Sequence, residues 1–183
     1  MHEAGGAPLG NPPSPGCADI GYSEASEGFE LNTASDIKFV HTNLIARDWR
    51  NLAKFYIEAF GCKRKPPERN LQGEWLDSAT SLKGAHIAGI HLTLPGYGND
   101  GPTLEIFQYG REGRAAIPSI NRPGFGHIAF SVKNVSKILE RVARLGGGGV
   151  GRVVSTQIEG VGEINFVYAR DPEGNIIELQ KWG

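Results

Sequence analysis

Four side chains combine residue types and spacings that suit metal-assisted proton transfer. His41 opens the run His41-Thr42-Asn43-Leu44, and His127 lies in Gly126-His127-Ile128-Ala129-Phe130. Glu105 sits within Thr103-Leu104-Glu105-Ile106-Phe107, and Glu178 within Ile176-Ile177-Glu178-Leu179. A carboxylate inside an otherwise apolar strand is costly to bury alone, so it takes a partner or a cation. Imidazole and carboxylate together suit one divalent ion of the borderline kind: Zn, Ni, Co, Mn or Fe. Such an ion can hold two neighbouring substrate oxygens and stabilise an enolate or enediolate, which makes proton removal beside a carbonyl feasible. The reaction also needs a base within hydrogen-bonding reach, and either Glu105 or Glu178, released from the ion, fills that catalytic role. The residues alone do not choose between the two. His86 and His91 have no counterpart in the other half of the chain and read as ordinary sheet residues, with His91 the reserve ligand.

The elements that must position these groups come in two copies. Ile37 to Leu44 reads as a strand, Asp48 offers a helix N-cap before Trp49, Leu52, Phe55, Tyr56 and Ala59-Phe60, and Gly61 stops that helix. Residues 73–76, 86–94 and 102–109 read as three more strands between Gly, Pro and Asn turns. An offset of 86 carries His41 onto His127, Leu44 onto Phe130, Asp48 onto Asn134, Leu52 onto Ile138 and Gly61 onto Gly147. One offset thus matches a strand, a cap, a helix face and a helix stop. Strands at 150–156, 164–169 and 175–181 complete the second copy, the offset falling to 73 between Glu105 and Glu178. The expected fold is α+β, with two tandem βαβββ modules at 36–110 and 122–183, a linker at 111–121, and a cupped eight-stranded mixed sheet. Residues 1–35, rich in Pro, Gly and Ser, read as a flexible arm or leader without a sustained period.

Composition narrows the functional classes. The chain has 183 residues, with 19 Lys+Arg against 20 Asp+Glu and a net charge of −1. It lacks the basic balance that phosphate-backbone binding demands, so nucleic acid is not an expected partner. No apolar run approaches the ~18 residues of a membrane span. The start has neither a basic region nor an apolar stretch of a secretory signal, and a cytoplasmic location is the default expectation. Cys17 and Cys62 are too few for a disulfide framework and read as free thiols.

Taken together, the paired modules, the His-Thr-Asn-Leu and Gly-His-Ile-Ala-Phe openings and the closing Asp171-Pro172-Glu173-Gly174-Asn175-Ile176-Ile177-Glu178-Leu179 resemble the vicinal oxygen chelate superfamily, over residues 36–182. That superfamily includes glyoxalase I, methylmalonyl-CoA epimerase, extradiol dioxygenases, fosfomycin-modifying enzymes and bleomycin-sequestering proteins. The closing stretch has a physical basis, since Pro172 and Gly174 form a tight turn that delivers Glu178 to the inward face of a last strand. The resemblance implies a metal shell of His41, Glu105, His127 and Glu178, a small-molecule substrate with vicinal oxygens, and a homodimer. It implies no cofactor other than the metal. Extradiol dioxygenases typically use two His and one Glu, so Glu105 argues against Fe(II) ring cleavage. Epimerases commonly place Gln where Glu105 stands, and bleomycin-sequestering members generally lack the metal set. The reading is therefore a metal-dependent lyase or isomerase, glyoxalase I-like or epimerase-like. The alternatives are an Fe(II) dioxygenase and a non-catalytic sequestering protein.

The remaining features carry less. Gly146, Gly148 and Gly151 fit G-x-G-x-x-G but follow a helix and precede a strand, the reverse of a dinucleotide site. Lys63-Arg64-Lys65 reads as cations complementing a helix C-terminus. Arg111, Arg114 and Arg122 on the linker can hold a substrate carboxylate or form a solvated face, and Trp75 reads as core or cavity wall.

Overall fold

A computed structural model describes residues 37–113 and 118–183. The expectations for residues 1–35, Cys17 and Arg114 lie outside that range.

Each module begins with a strand that feeds a capped helix. Strand β1 (His41–Ile45) leads to Asp48, whose carboxylate accepts the backbone N–H groups of Arg50 and Asn51 and starts α1 (Trp49–Phe60). Helix α1 buries Trp49, Leu52, Ala53, Phe55, Tyr56 and Ala59, the spacing of one helical face. It stops at Gly61, whose φ of 76° is the left-handed conformation that glycine takes without a Cβ penalty. Strand β2 (Lys63–Gln72), helix α2 (Glu74–Thr80), β3 (His86–Thr93) and β4 (Thr103–Tyr109) follow. The sheet order is β1-β4-β3-β2, with β1 and β4 parallel and the other pairs antiparallel.

The second module repeats this plan with β5 (Ile128–Ser131), α3 (Val135–Arg144), β6 (Gly148–Gly149), β7 (Val154–Ile158), β8 (Gly162–Arg170) and β9 (Ile176–Trp182). Asn134 caps α3 by accepting the Lys137 N–H. The sheet order is β5-β9-β8-β6, β7 also pairs with β8, and β5 runs parallel to β9.

The α+β class and the repeated plan are as expected, while several boundaries differ for identifiable reasons. The strands form a four-stranded and a five-stranded sheet, because in place of the one strand expected at 150–156 there are two, β6 just before that stretch and β7 from Val154 onward. The strand expected at 73–76 is instead the start of α2, and Lys63-Arg64-Lys65 open β2. Strand β2 is an outer strand carrying Pro66 and Pro67, which have no N–H for the ladder, and its register shifts between Lys65 and Arg69. Its exposed, polar residues give no alternation to read. The positive φ after α3 belongs to Gly146, at 91°, and Gly147 instead lets the Arg170 carbonyl and Val142 approach its Cα.

One apolar core joins the modules. Leu52, Tyr56, Ile90, Leu92, Leu104 and Ile106 pack in the same cluster as Val142, Val167, Ile177 and Leu179. The Phe60 and Phe130 rings stack with centroids 4.1 Å apart, and Arg141 donates to the Ala59 carbonyl at 3.3 Å. The turn between β8 and β9 reaches back to α1. Glu173 Oε1 accepts the N–H groups of Arg47 at 2.9 Å and Asp48 at 3.0 Å, and Asp171 Oδ2 accepts the Tyr56 hydroxyl at 2.9 Å. Cys62 is a buried free thiol, its pKa pushed up to about 11 by that burial. Among the described residues, no helix is long and apolar enough to cross a membrane.

Candidate metal centre

The register of the parallel strand pairs brings each histidine to a glutamate. Asn43 is the Cα partner of Glu105 on β1 and β4, and Ala129 is the Cα partner of Glu178 on β5 and β9. His41 and His127 each stand two residues before that partner, and side chains two apart in an extended chain share a face. His41 Nε2 accordingly lies 3.5 Å from Glu105 Oε2, and His127 Nε2 lies 2.9 Å from Glu178 Oε2. The carboxylates are shielded, at 12% and 13% exposure, and the imidazoles partly open, at 39% and 33%. In both sheets the face opposite the glutamate holds the core: Leu104 and Ile106 flank Glu105, and Ile177 and Leu179 flank Glu178.

A third strand adds a residue that differs between the modules. His91 on β3 is the Cα partner of Glu105, while Tyr168 on β8 is the Cα partner of Glu178. His91 Nε2 lies 2.9 Å from Glu105 Oε1, and its Nδ1 lies 3.0 Å from the hydroxyl of buried Thr103. Asn43 Nδ2 donates to Glu105 Oε2 at 2.7 Å, a contact Ala129 cannot reproduce. His91 has no histidine counterpart in the second copy, which is why the sequence offers it only as a reserve ligand. Counting back from each glutamate across its hairpin turn exposes the equivalence of His91 and Tyr168.

The electrostatics follow this placement. Burial lowers the His91 pKa, with the Glu105 charge opposing the shift and Arg69, His41 and Lys65 adding to it, so the neutral, ligating form is favoured. Burial, and then the charge of Glu178, raises the Tyr168 phenol above its ordinary range.

The structure thus forms two groupings. Ligand atoms of His41, His91 and Glu105 all lie within 4.8 Å of one another. His127 and Glu178 form a separate contact, and among the described residues no group that close unites all four expected ligands in one chain. The donors fit a divalent ion. Two ligands at ~2.1 Å from a tetrahedral centre stand about 3.4 Å apart, which the 3.5 Å from His41 to Glu105 matches. His86 pairs with Asn70 at 2.6 Å, outside this grouping, and Trp75 is 59% exposed on α2 rather than in a core. A cavity of about 880 Å³ is bordered by Arg47, Arg111, Arg170 and Glu173, and one of about 690 Å³ by Thr42, Tyr97, Thr103 and residues 128–131. Arg122 lies in an exposed turn.

Comparison with known proteins agrees with this architecture. The family model for the Glyoxalase/Bleomycin resistance protein/Dioxygenase superfamily matches residues 38–179. A lactoylglutathione lyase of Arabidopsis thaliana is 29% identical over 164 residues, which cover 88% of this chain and 50% of that protein. The chain therefore spans about half the length of this curated relative. A glyoxalase family protein from Bacillus cereus superposes with a TM-score of 0.69 at 19% identity, covering 82% of this chain and 97% of the other. A mutant glyoxalase I from Zea mays gives 0.54 at 23% identity, covering 78% and 44%. A fosfomycin resistance protein from Listeria monocytogenes gives 0.51 at 16%, covering 81% and 94%. At these identities the structural likenesses show the fold.

Proposed function

The chain belongs to the Glyoxalase/Bleomycin resistance protein/Dioxygenase superfamily, and from that premise we propose that it is a divalent-metal-dependent enzyme of glyoxalase I or epimerase type. It moves a proton beside a carbonyl in a small molecule with vicinal oxygens. The observation that supports this reading is the repeated histidine–glutamate contact, made at the same register in both modules. The name of the Arabidopsis relative favours the glyoxalase side.

The proposed ligands are His41, Glu105, His127 and Glu178. Strand β1, which carries His41, and strand β5, which His127 immediately precedes, are the outer strands of their sheets, and outer strands are where a second copy can join. On this reading two copies of the chain complete the shell together. The bound ion supplies Lewis acidity, which stabilises negative charge developing on adjacent substrate oxygens. Asn43 tethers Glu105, whereas Ala129 leaves Glu178 free of an equivalent donor. Glu178 is accordingly assigned as the base and Glu105 as the anchored ligand. The shielding of both carboxylates strengthens their attraction for a cation.

Metal analysis of protein purified without chelator tests the reading, followed by turnover of hemithioacetals, acyl-CoA thioesters and catechols. Metal-dependent turnover of either of the first two is expected, and a protein that neither retains nor takes up metal overturns the proposal. Light scattering at micromolar concentration should report a dimer; a fully active monomer would overturn the shared shell. The grouping of two imidazoles and one carboxylate at His41, His91 and Glu105 favours a second reading, since it is a donor set of non-haem iron oxygenases. Oxygen consumption by the iron-loaded protein with a catechol would select that alternative.

A further inference from the structure

We propose that the first module by itself is a complete three-ligand site for a divalent transition-metal ion, formed by His41, His91 and Glu105, which takes up the ion without His127 or Glu178. The inference rests on the metal-dependent reading above and goes beyond it by giving His91 a ligand's role and the ion a place of entry.

Three independent observations converge. The ligand atoms of the three residues lie within 4.8 Å of one another, close to the ~4.2 Å span of ligands about one ion. Each comes from a different strand: β1, β3 and β4 are neighbours in one sheet, and their pairing fixes the three side chains on one face. The donors are also held from behind. Thr103 Oγ1 stands 3.0 Å from His91 Nδ1 and leaves Nε2 directed at Glu105, while Asn43 fixes Glu105 Oε2. Such outer contacts set the orientation of ligating imidazoles and carboxylates.

The second module lacks these features. Tyr168 stands where His91 does, Ala129 stands where Asn43 does, and only His127 and Glu178 remain as strong donors for a borderline ion. Two donors hold such an ion much less firmly than three. Loading therefore begins on the first module, and the pair from the second module then completes the coordination.

Cobalt(II) is a suitable probe, because its visible spectrum reports coordination and equilibrium dialysis reports stoichiometry. The proteins compared are the full chain, a His127→Ala/Glu178→Gln variant, and that variant with His91→Ala added. The double variant should still bind about one cobalt per chain, and adding His91→Ala should weaken binding by a hundredfold or more. Thr103→Val, close in volume and so expected to fold, should weaken binding in the double variant by roughly 10–100-fold. Circular dichroism checks that each variant keeps its fold. If the wild-type chain binds cobalt and the folded double variant does not, the inference is overturned while the metal-dependent reading stands. It is also overturned if His91→Ala leaves the affinity of the double variant unchanged. A wild-type chain that binds no cobalt overturns the metal-dependent reading itself.

Discussion

Asn43 and Ala129 occupy one position in the repeated register, yet they give their glutamates different freedom. Glu105 has Asn43 at 2.7 Å and His91 at 2.9 Å, whereas Glu178 meets the Tyr168 phenol where His91 stands but faces Ala129, which has no donor, where Asn43 stands, so releasing Glu105 breaks one contact more. This asymmetry predicts different outcomes for Glu105→Gln and Glu178→Gln. Gln keeps a carbonyl oxygen for ligation but cannot take up a proton as a carboxylate can. Glu178→Gln should retain metal and lose turnover by roughly a hundredfold or more. Glu105→Gln should mainly lose metal affinity, with turnover restored by excess metal. Dialysis and steady-state kinetics on the two variants decide this, and the reverse pattern would transfer the base to Glu105. The paired His and Glu were legible in the sequence because both repeat with an apolar surround. His91 was not, because its partnership depends on the β3–β4 register, and the same position in the second copy is filled by a different residue type.

At the scale of the element, the local rules that carried furthest were those with a polar atom or a glycine at a helix end. Asp48, Asn134 and Gly61 perform the capping and stopping their types imply. Asp48→Ala should remove the acceptor for the Arg50 and Asn51 N–H groups and cost about 0.5–2 kcal/mol, measurable by urea unfolding. The elements that escaped reading are those whose exposure removes the periodicity. Strand β2 is almost wholly exposed, and α2 is a seven-residue helix that buries only Leu76. Neither presents a hydrophobic face long enough to show a period of 2 or 3.6. Their positions follow from tertiary context: β2 pairs with β3, and Leu76 packs with Ala85, Ile87 and Phe107. That small cluster lies on the sheet face that also carries Glu105 and His91, so α2 borders the candidate site although no feature of its sequence announces it.

For the molecule as a whole, the junction between the modules is where stability and site geometry meet. Asp171 is nearly fully buried; its burial raises its pKa, opposed by hydrogen bonds from the Asn175 side chain, Tyr56 and the backbone of Asn175 and Glu173. An acid whose folded pKa is raised contributes stability that is fully present below its ordinary value of 3.8 and lost as pH rises through the folded value. Tyr56→Phe removes one of the bonds that favour the ionised form, so the raised pKa should rise further. The variant should lose about 1–3 kcal/mol at pH 7 and less at pH 4, as read from urea unfolding at the two values. An equal loss at both would show that the hydroxyl does not act through the charge of Asp171. The turn containing Asp171 has a further consequence for which changes of length the chain can accept. Its backbone is closed by bonds between Asp171 and Asn175 and from Gly174 to Asp171, while Glu173 holds the start of α1. Surface turns ordinarily accommodate insertions. An extra residue here has to be absorbed by breaking these bonds or by sliding β9 one place against β8, and a one-residue slip exchanges the faces of a strand. Glu178 would then point into the packing beneath α3, and Ile177 or Leu179 would take its place among the polar groups. The connection between β3 and β4 makes no comparable bonds to the other module, so natural length variation should be concentrated there and rare between β8 and β9.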